Sequence, residues 1–264
     1  MNTSEQGDAL VLREDADGIR TLTLNRPAQL NALSSDMIDA LLEQLDQTAA
    51  DSGIRVIILA GQGRAFSAGH DLRQMRSHPE QSYYEELFTR CSQLMAKLTD
   101  LPQPVIARVQ GIATAAGCQL VAACDLAVVS EEARFATSGI GVGLFCSTPS
   151  VALSRNVSRK HAFEMLFTGD FIDAETACRF GLVNQVVPSA ELDQAALDFA
   201  AKISAKSATA VRSGKRMFYQ QLALTTEEAY QYAANVMACD MMSEDAVEGI
   251  DAFLNKRTPT WRGR

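Results

Sequence analysis

The chain has 264 residues, 47% of them apolar and 21% charged, enough to bury a sizeable core in one large domain or one domain with an appendage. A formal net charge of −8 excludes a general binder of nucleic acid or anionic membrane, which needs net positive surface, and leaves room for a local basic groove around a phosphorylated ligand. The six cysteines form no C-x-x-C pair and no zinc-finger spacing, the first eight residues lack a signal-type apolar stretch, and no apolar run approaches the length of a membrane span. Buried free thiols in a reducing cytoplasm are therefore expected.

Two short strands, 9–14 and 19–24, open the chain around the turn residues 15–18. Asn25-Arg26-Pro27 ends the second strand, and Ser34 or Ser35 can cap a helix that carries Met37, Leu41, Leu42 and Leu45 on one face. Residues 56–60 form a continuous apolar strand, followed by the small-residue turn Arg64-Ala-Phe-Ser-Ala-Gly-His-Asp-Leu72. A helix over 80–98 leads to Pro102 and Pro104. Strand 105–109 then feeds a second small-residue segment, Gly111-Ile-Ala-Thr-Ala-Ala-Gly-Cys-Gln-Leu-Val-Ala-Ala-Cys-Asp125, whose residues 116–123 read as a short buried helix and whose continuation, 126–129, reads as a strand. Strand and helix alternate to about residue 187, which predicts an α/β class. Beyond Pro188 only helical spacing remains, over 192–205, 208–221, 227–242 and 245–256, with a capping box at Thr225 and Glu228. Ala229, Ala233, Val236 and Met237 make one apolar stripe, suited equally to packing within the chain or against another subunit.

Chemistry concentrates in the two small-residue turns. Amide N–H groups at a helix start are unpaired and partly positive, and two of them aimed at one carbonyl oxygen stabilise the enolate of a thioester, each donor contributing about 2.7–4 kcal/mol at the transition state. Small residues are required because a side chain blocks the approach of backbone to ligand. Spacing alone leaves open whether the turns meet. Other motifs are weak: 139–143 lacks the G-x-G-x-x-G spacing, Ser147 is not in a G-x-S-x-G elbow, and the three histidines have no metal-site spacing, so no metal is expected. Asp125 is expected to anchor a strand turn, His161 to sit on a solvated helix face, and His78 to lie in a loop without a partner.

Ordered segments across residues 9–260 resemble the crotonase superfamily, the enoyl-CoA hydratase/isomerase family. They include Asn25-Arg-Pro27, Asn31-Ala-Leu-Ser34, Ala65-Phe-Ser-Ala-Gly-His-Asp-Leu72, Pro104-Val-Ile-Ala107, Gly117-Cys118, Ala123-Cys-Asp125, Thr168-Gly169, Gly181-Leu-Val-Asn184, Val186-Val-Pro188 and Phe253-Leu-Asn-Lys-Arg257. Within it, 113–121 and 142–149 resemble one particular branch. The resemblance implies a spiral of ββα turns over 1–190, a helical trimerisation region over 191–264, and a homotrimer or dimer of trimers. It also implies a coenzyme A thioester as substrate, with no bound cofactor. Carried over, the oxyanion donors are the backbone N–H groups of His70 and Ala116. The coenzyme A groove is lined by Asn31, Ala32, Leu33, Ala68, His70, Asp71 and Leu72, with Phe253 and Lys256 reaching a neighbouring subunit's ligand.

The family's two catalytic glutamates fall at Gln119 and Gly139. Gln cannot accept a proton from water at neutral pH, Gly has no side chain, and each lost acid or base is worth roughly 10²–10⁴-fold in rate. Cys146 and Ser147 stand where related enzymes contact the acyl group. Three functions fit: an acyl-CoA enzyme of the hydratase/isomerase group without two-glutamate hydration, a decarboxylase of malonyl-type thioesters, or a noncatalytic acyl-CoA-binding protein.

Overall fold

A computed structural model describes residues 9–264; the expectation about the first eight residues lies outside them. In chain order the elements are β1 (Val11–Ala16), β2 (Ile19–Leu24), α1 (Ser35–Ala50), β3 (Val56–Gly61), β4 (Ala65–Ser67), α2 (Leu72–Ser77) and α3 (Gln81–Asp100). Then come β5 (Val105–Val109), β6 (Ile112–Thr114), α4 (Ala116–Ala123), β7 (Leu126–Ser130), β8 (Arg134–Ala136), α5 (Ser147–Asn156), α6 (Arg159–Thr168), β9 (Ile172–Asp173), α7 (Ala174–Phe180) and β10 (Gln185–Val187). Four helices close the chain: α8 (Leu192–Ser204), α9 (Ala208–Gln221), α10 (Thr226–Asp240) and α11 (Glu244–Leu254).

One sheet runs β1-β2-β3-β5-β7-β10, parallel except for the β1–β2 hairpin, and a smaller one runs β4-β6-β8-β9. The chain alternates between them: β3 then β4, β5 then β6, β7 then β8, each pair followed by helix. This is a spiral of ββα turns. The alternation of side chains along a strand explains the layering. In β3, Ile57 and Leu59 enter the main core with α1, α3 and α4, whereas Val56 and Ile58 face the other way and pack with Leu192, Ala196 and Ala200 of α8. All six residues of β3 are buried, as a central parallel strand covered on both faces requires. Thus α8 is packed on the sheet, and the exposed helical layer consists of α9, α10 and α11.

Local rules explain the helix ends. Ser34 caps α1 by accepting from Met37 N, and Thr225 and Glu228 form a complete capping box on α10. Asp125 ties β7 to β5: its N–H donates to the Val105 carbonyl at 3.0 Å and its Oδ2 accepts from Val105 N at 2.6 Å. It also receives Lys215 Nζ and Tyr219 OH of α9, each at 2.7 Å, so the same carboxylate latches the terminal helices to the core.

Two histidine expectations are corrected. His161 is not on a solvated face: its ring stacks on Phe180 at 3.6 Å with Nδ1 buried, because α6 turns this side toward α7. His78 does have partners, Ser77 and the Gln74 carbonyl, and it stacks on Tyr83. All six cysteines are free; Cys91, Cys118, Cys124 and Cys146 are buried, Cys178 is half-buried, and Cys239 is exposed. Among the described residues no helix is long and apolar enough to cross a membrane.

Candidate active site

The small sheet assembles the site. β4, β6 and β8 lie side by side and parallel, so the segments leaving their C-terminal ends are neighbours: the His70 turn, the first turn of α4, and the Thr137–Gly139 stretch. In parallel α/β sheets this is the end at which ligands gather. The first two segments touch through bare backbone. A methyl group on Gly69 would sit 3.0 Å from Ala116 N and 2.9 Å from the Thr114 carbonyl oxygen, and one on Gly117 would sit 2.2 Å from the Ser67 carbonyl oxygen. Glycine at these two places is what allows the turns to meet.

The His70 turn is braced from below. Asn31 donates from Nδ2 to the carbonyls of Gln62 and Ala65, and its Oδ1 accepts from Arg26 N. Ser67 Oγ donates to the Asn31 carbonyl and accepts from Gly69 N. Leu33 N donates to the Gly69 carbonyl, and Asp71 N donates to that of Leu33. Of the residues expected to line the groove, Asn31 and Leu33 are 0% exposed, and the polar groups of Asn31 are consumed in holding the turn. Ala32 is also buried, Ala68 is half-buried and Leu72 is exposed.

Asp71 caps α2 by accepting from Arg73 N and Gln74 N, and it pairs with Arg26 at 3.2 Å. Burial alone would raise its pKa; the Gln74 N–H, Arg26 and the Arg73 N–H outweigh it and hold the carboxyl below its ordinary value. It is therefore a fixed anion committed to the turn. The His70 ring packs edge-on against Phe88, with Nε2 buried and unpartnered. Burial lowers its pKa to about 4, so the imidazole is neutral at pH 7 and cannot serve as a charged acid.

Neither the His70 N–H nor the Ala116 N–H donates a hydrogen bond among the described residues. Ala116 is the first residue of α4, where the helix leaves its N–H groups unpaired. The residue before it, Ala115, has φ 51° and ψ −119°, a left-handed conformation that costs a non-glycine residue about 1–3 kcal/mol. Ala115, Ser67 and Arg26 all lie in matched segments, but the sequence assigns none of them a role.

Gln119 is 3% exposed, and its Oε1 has no donor among the described residues. Gly139 is the second residue of a 3₁₀ turn, Ser138–Val142, and has no room for a side chain: a Cβ would lie 2.6 Å from the Leu144 carbonyl oxygen and 2.7 Å from Cys146 Sγ. Burial raises the Cys146 thiol above its ordinary value, with the Gly139 N–H opposing, and burial pushes Cys118 up to about 12. Both thiols are thus held further toward the protonated form than a free cysteine. Ser147 is exposed at the start of α5, its hydroxyl 3.4 Å from the Phe145 carbonyl. Across the ends of β6 and β8, Thr114 and Ser138 share a 2.8 Å hydroxyl contact, a pair that no sequence motif marks. Phe253, 82% exposed, and Lys256 lie at the end of α11, which packs on α9.

Residues 14–264 match the family model described as Enoyl-CoA hydratase/isomerase. The chain belongs to the enoyl-CoA hydratase/isomerase family. It is 46% identical over 256 residues to the mitochondrial enoyl-CoA hydratase domain-containing protein 3 of Xenopus laevis, covering 97% of this chain and 87% of the relative; this is the branch that segments 113–121 and 142–149 resemble. It is 35% identical over 244 residues to the 2,3-dehydroadipyl-CoA hydratase of Escherichia coli, covering 92% and 94%. The crystal structure of an enoyl-CoA hydratase from Mycobacterium smegmatis superposes with TM-score 0.94 at 55% identity, covering 96% of this chain and 98% of the other. The expectation of a cytoplasmic protein is overturned: the Xenopus, mouse and human domain-containing protein 3 relatives are named as mitochondrial. Free buried thiols report a reducing environment and do not separate one reducing compartment from another.

Proposed function

We propose that this family member binds an acyl-CoA thioester with its carbonyl oxygen between the N–H groups of His70 and Ala116, and that it acts by stabilising the enolate without two-glutamate hydration. The observation that carries this reading is the backbone contact between the two turns, with both amides free of internal acceptors. The names of the relatives support a hydratase/isomerase-like acyl-CoA enzyme. The proton-transfer half is what departs: Gln119 is neutral, Gly139 is sealed by Cys146, Asp71 is engaged with Arg26, and His70 is uncharged. Coenzyme A would lie along Ala32, Ala68, Asp71 and Leu72, with Phe253 and Lys256 of a neighbouring copy in a homotrimer or dimer of trimers.

The test is the kinetics of His70→Pro, which deletes one donor. A loss of about 10²–10³-fold in kcat is expected for any thioester turned over, and unchanged turnover would remove the oxyanion assignment. Crotonyl-CoA hydration at rates normal for two-glutamate enzymes would refute the missing-acid reading.

Decarboxylation of a malonyl-type thioester is favoured by one specific feature, the lack of a base at Gln119 and Gly139, because loss of carbon dioxide generates the enolate without proton abstraction. Release of carbon dioxide from malonyl- or methylmalonyl-CoA checks it. Tight thioester binding with no turnover across a substrate panel would instead mark a noncatalytic binding protein.

A further inference from the structure

A second concavity lies at the opposite end of the large sheet. A cavity of about 260 Å³ sits between the α1–β3 loop and the α8–α9 junction, and its lining includes Asp51, Arg55, Gln103, Ala208 and Arg212. Arg55 precedes the first residue of β3, whereas Gly61 at the other end of the strand lies against Asn31, which braces the His70 turn; six residues of strand separate these ends by roughly 20 Å. The cavity is therefore distinct from the thioester site.

Its charges are unbalanced. Arg55 donates to the Lys206 carbonyl at 2.5 Å and Arg212 to the Gly263 carbonyl at 3.1 Å. Neither has a carboxylate within 4.0 Å among the described residues. Each guanidinium carries five N–H donors, so most of them remain uncommitted. The pKa of Arg55 is lowered by burial first and by the charge of Arg212 second, with the charge of Asp245 opposing, so the two cations are neighbours and one acid lies within Coulombic reach. The nearby acids are engaged elsewhere: Asp51 accepts from Arg20 and Gly53 N, and Asp245 accepts from Ser207 and from the N–H groups of Arg262 and Gly263. Ala208, the first residue of the fourteen-residue α9, adds the positive end of a helix dipole. Gln103 belongs to the cavity wall, its Nε2 facing the carbonyls of Thr48, Asp51 and Ile54.

We propose that this cavity binds a phosphate, either inorganic phosphate or a small phosphate monoester, with Arg55 and Arg212 on its oxygens. The bound anion braces the α8–α9 junction against the N-terminal end of β3, so it stabilises the attachment of the terminal helices.

Thermal unfolding of the full chain in increasing inorganic phosphate or glycerol 3-phosphate, against chloride at matched ionic strength, tests this. A rise in Tm of several degrees that grows with the logarithm of ligand concentration is expected, with the stronger of the two ligands naming the source. Arg55→Gln/Arg212→Gln should abolish this rise. Ala208→Asp guards against misfolding of that variant: an acid in the first turn of α9 favours the helix and places a carboxylate four residues before Arg212, so it should raise the basal Tm and remove the phosphate response. An equal response in the arginine double variant, an undiminished response in Ala208→Asp, or no rise beyond that in chloride for the unmodified protein overturns the proposal.

Discussion

Ala115 holds a left-handed backbone conformation directly before the proposed donor Ala116. Glycine adopts it without the steric cost of about 1–3 kcal/mol, and loses roughly 0.4–1 kcal/mol through its freer unfolded chain. Ala115→Gly is thus expected to raise stability by about 1 kcal/mol in urea unfolding; a decrease would mean the methyl contact with the His70 turn outweighs the strain. Gly139 makes the opposite case. A glutamate there must displace Cys146 or the Leu144 carbonyl, so Gln119→Glu/Gly139→Glu should lower Tm by several degrees and yield no crotonyl-CoA hydration, although it restores both carboxylates on paper. His70 supplies a pH test. The unfolded chain binds this proton near 6.5 and the folded protein only near 4, so between these values the unfolded state holds more protons and stability rises with pH. The full contribution is present above 6.5. Lowering the pH from 7 to 5 should cost about 2 kcal/mol from this group, and urea unfolding of His70→Gln should lack that slope while keeping the backbone N–H and the enzyme's turnover.

At the scale of elements, the small sheet and α9 carry most of the argument. β4, β6 and β8 contribute only three residues each, too few for a hydrophobic period to announce them, yet their parallel register is what gathers the candidate site. The long strands β2, β3 and β5 are legible because they combine continuous apolar character with flanking turn residues, and α4 is legible because alanines and a glycine precede its apolar stretch. The attachment of α9 was not legible. Lys215 reads as one more surface cation in a polar helix, but its Nζ is buried against Asp125 and the carbonyls of Leu98 and Gln103. Removing one partner of a buried ion pair typically costs about 3–5 kcal/mol. Lys215→Met should destabilise by about 3 kcal/mol in chemical unfolding, while Lys202→Met on an exposed position should be near neutral.

Seen as a whole, one copy of the chain leaves its terminal helical layer under-covered. α10 contains no buried residue, Met237 is 72% exposed and Met242 84% exposed, far more apolar exposure than a free helix in water favours. Self-association through α10 and α11 is expected, and Met237→Glu/Met242→Glu should lower the mass measured by light scattering after gel filtration. An unchanged mass would place the subunit contact elsewhere.

Local chemistry in the chain alone determined the α/β alternation, the helix caps at Ser34 and Thr225, the small-residue turns and the replacement of two acids by Gln119 and Gly139. These are properties of neighbouring residues, governed by propensity and by side-chain inventory. Only the tertiary structure decided that Gly69 and Gly117 press the two turns together, that Cys146 fills the space beside Gly139, that Asn31 faces inward, and that Arg55 meets Arg212. Each of these depends on backbone segments far apart in the chain coming within van der Waals or Coulombic reach, a relation set by sheet register and layer packing.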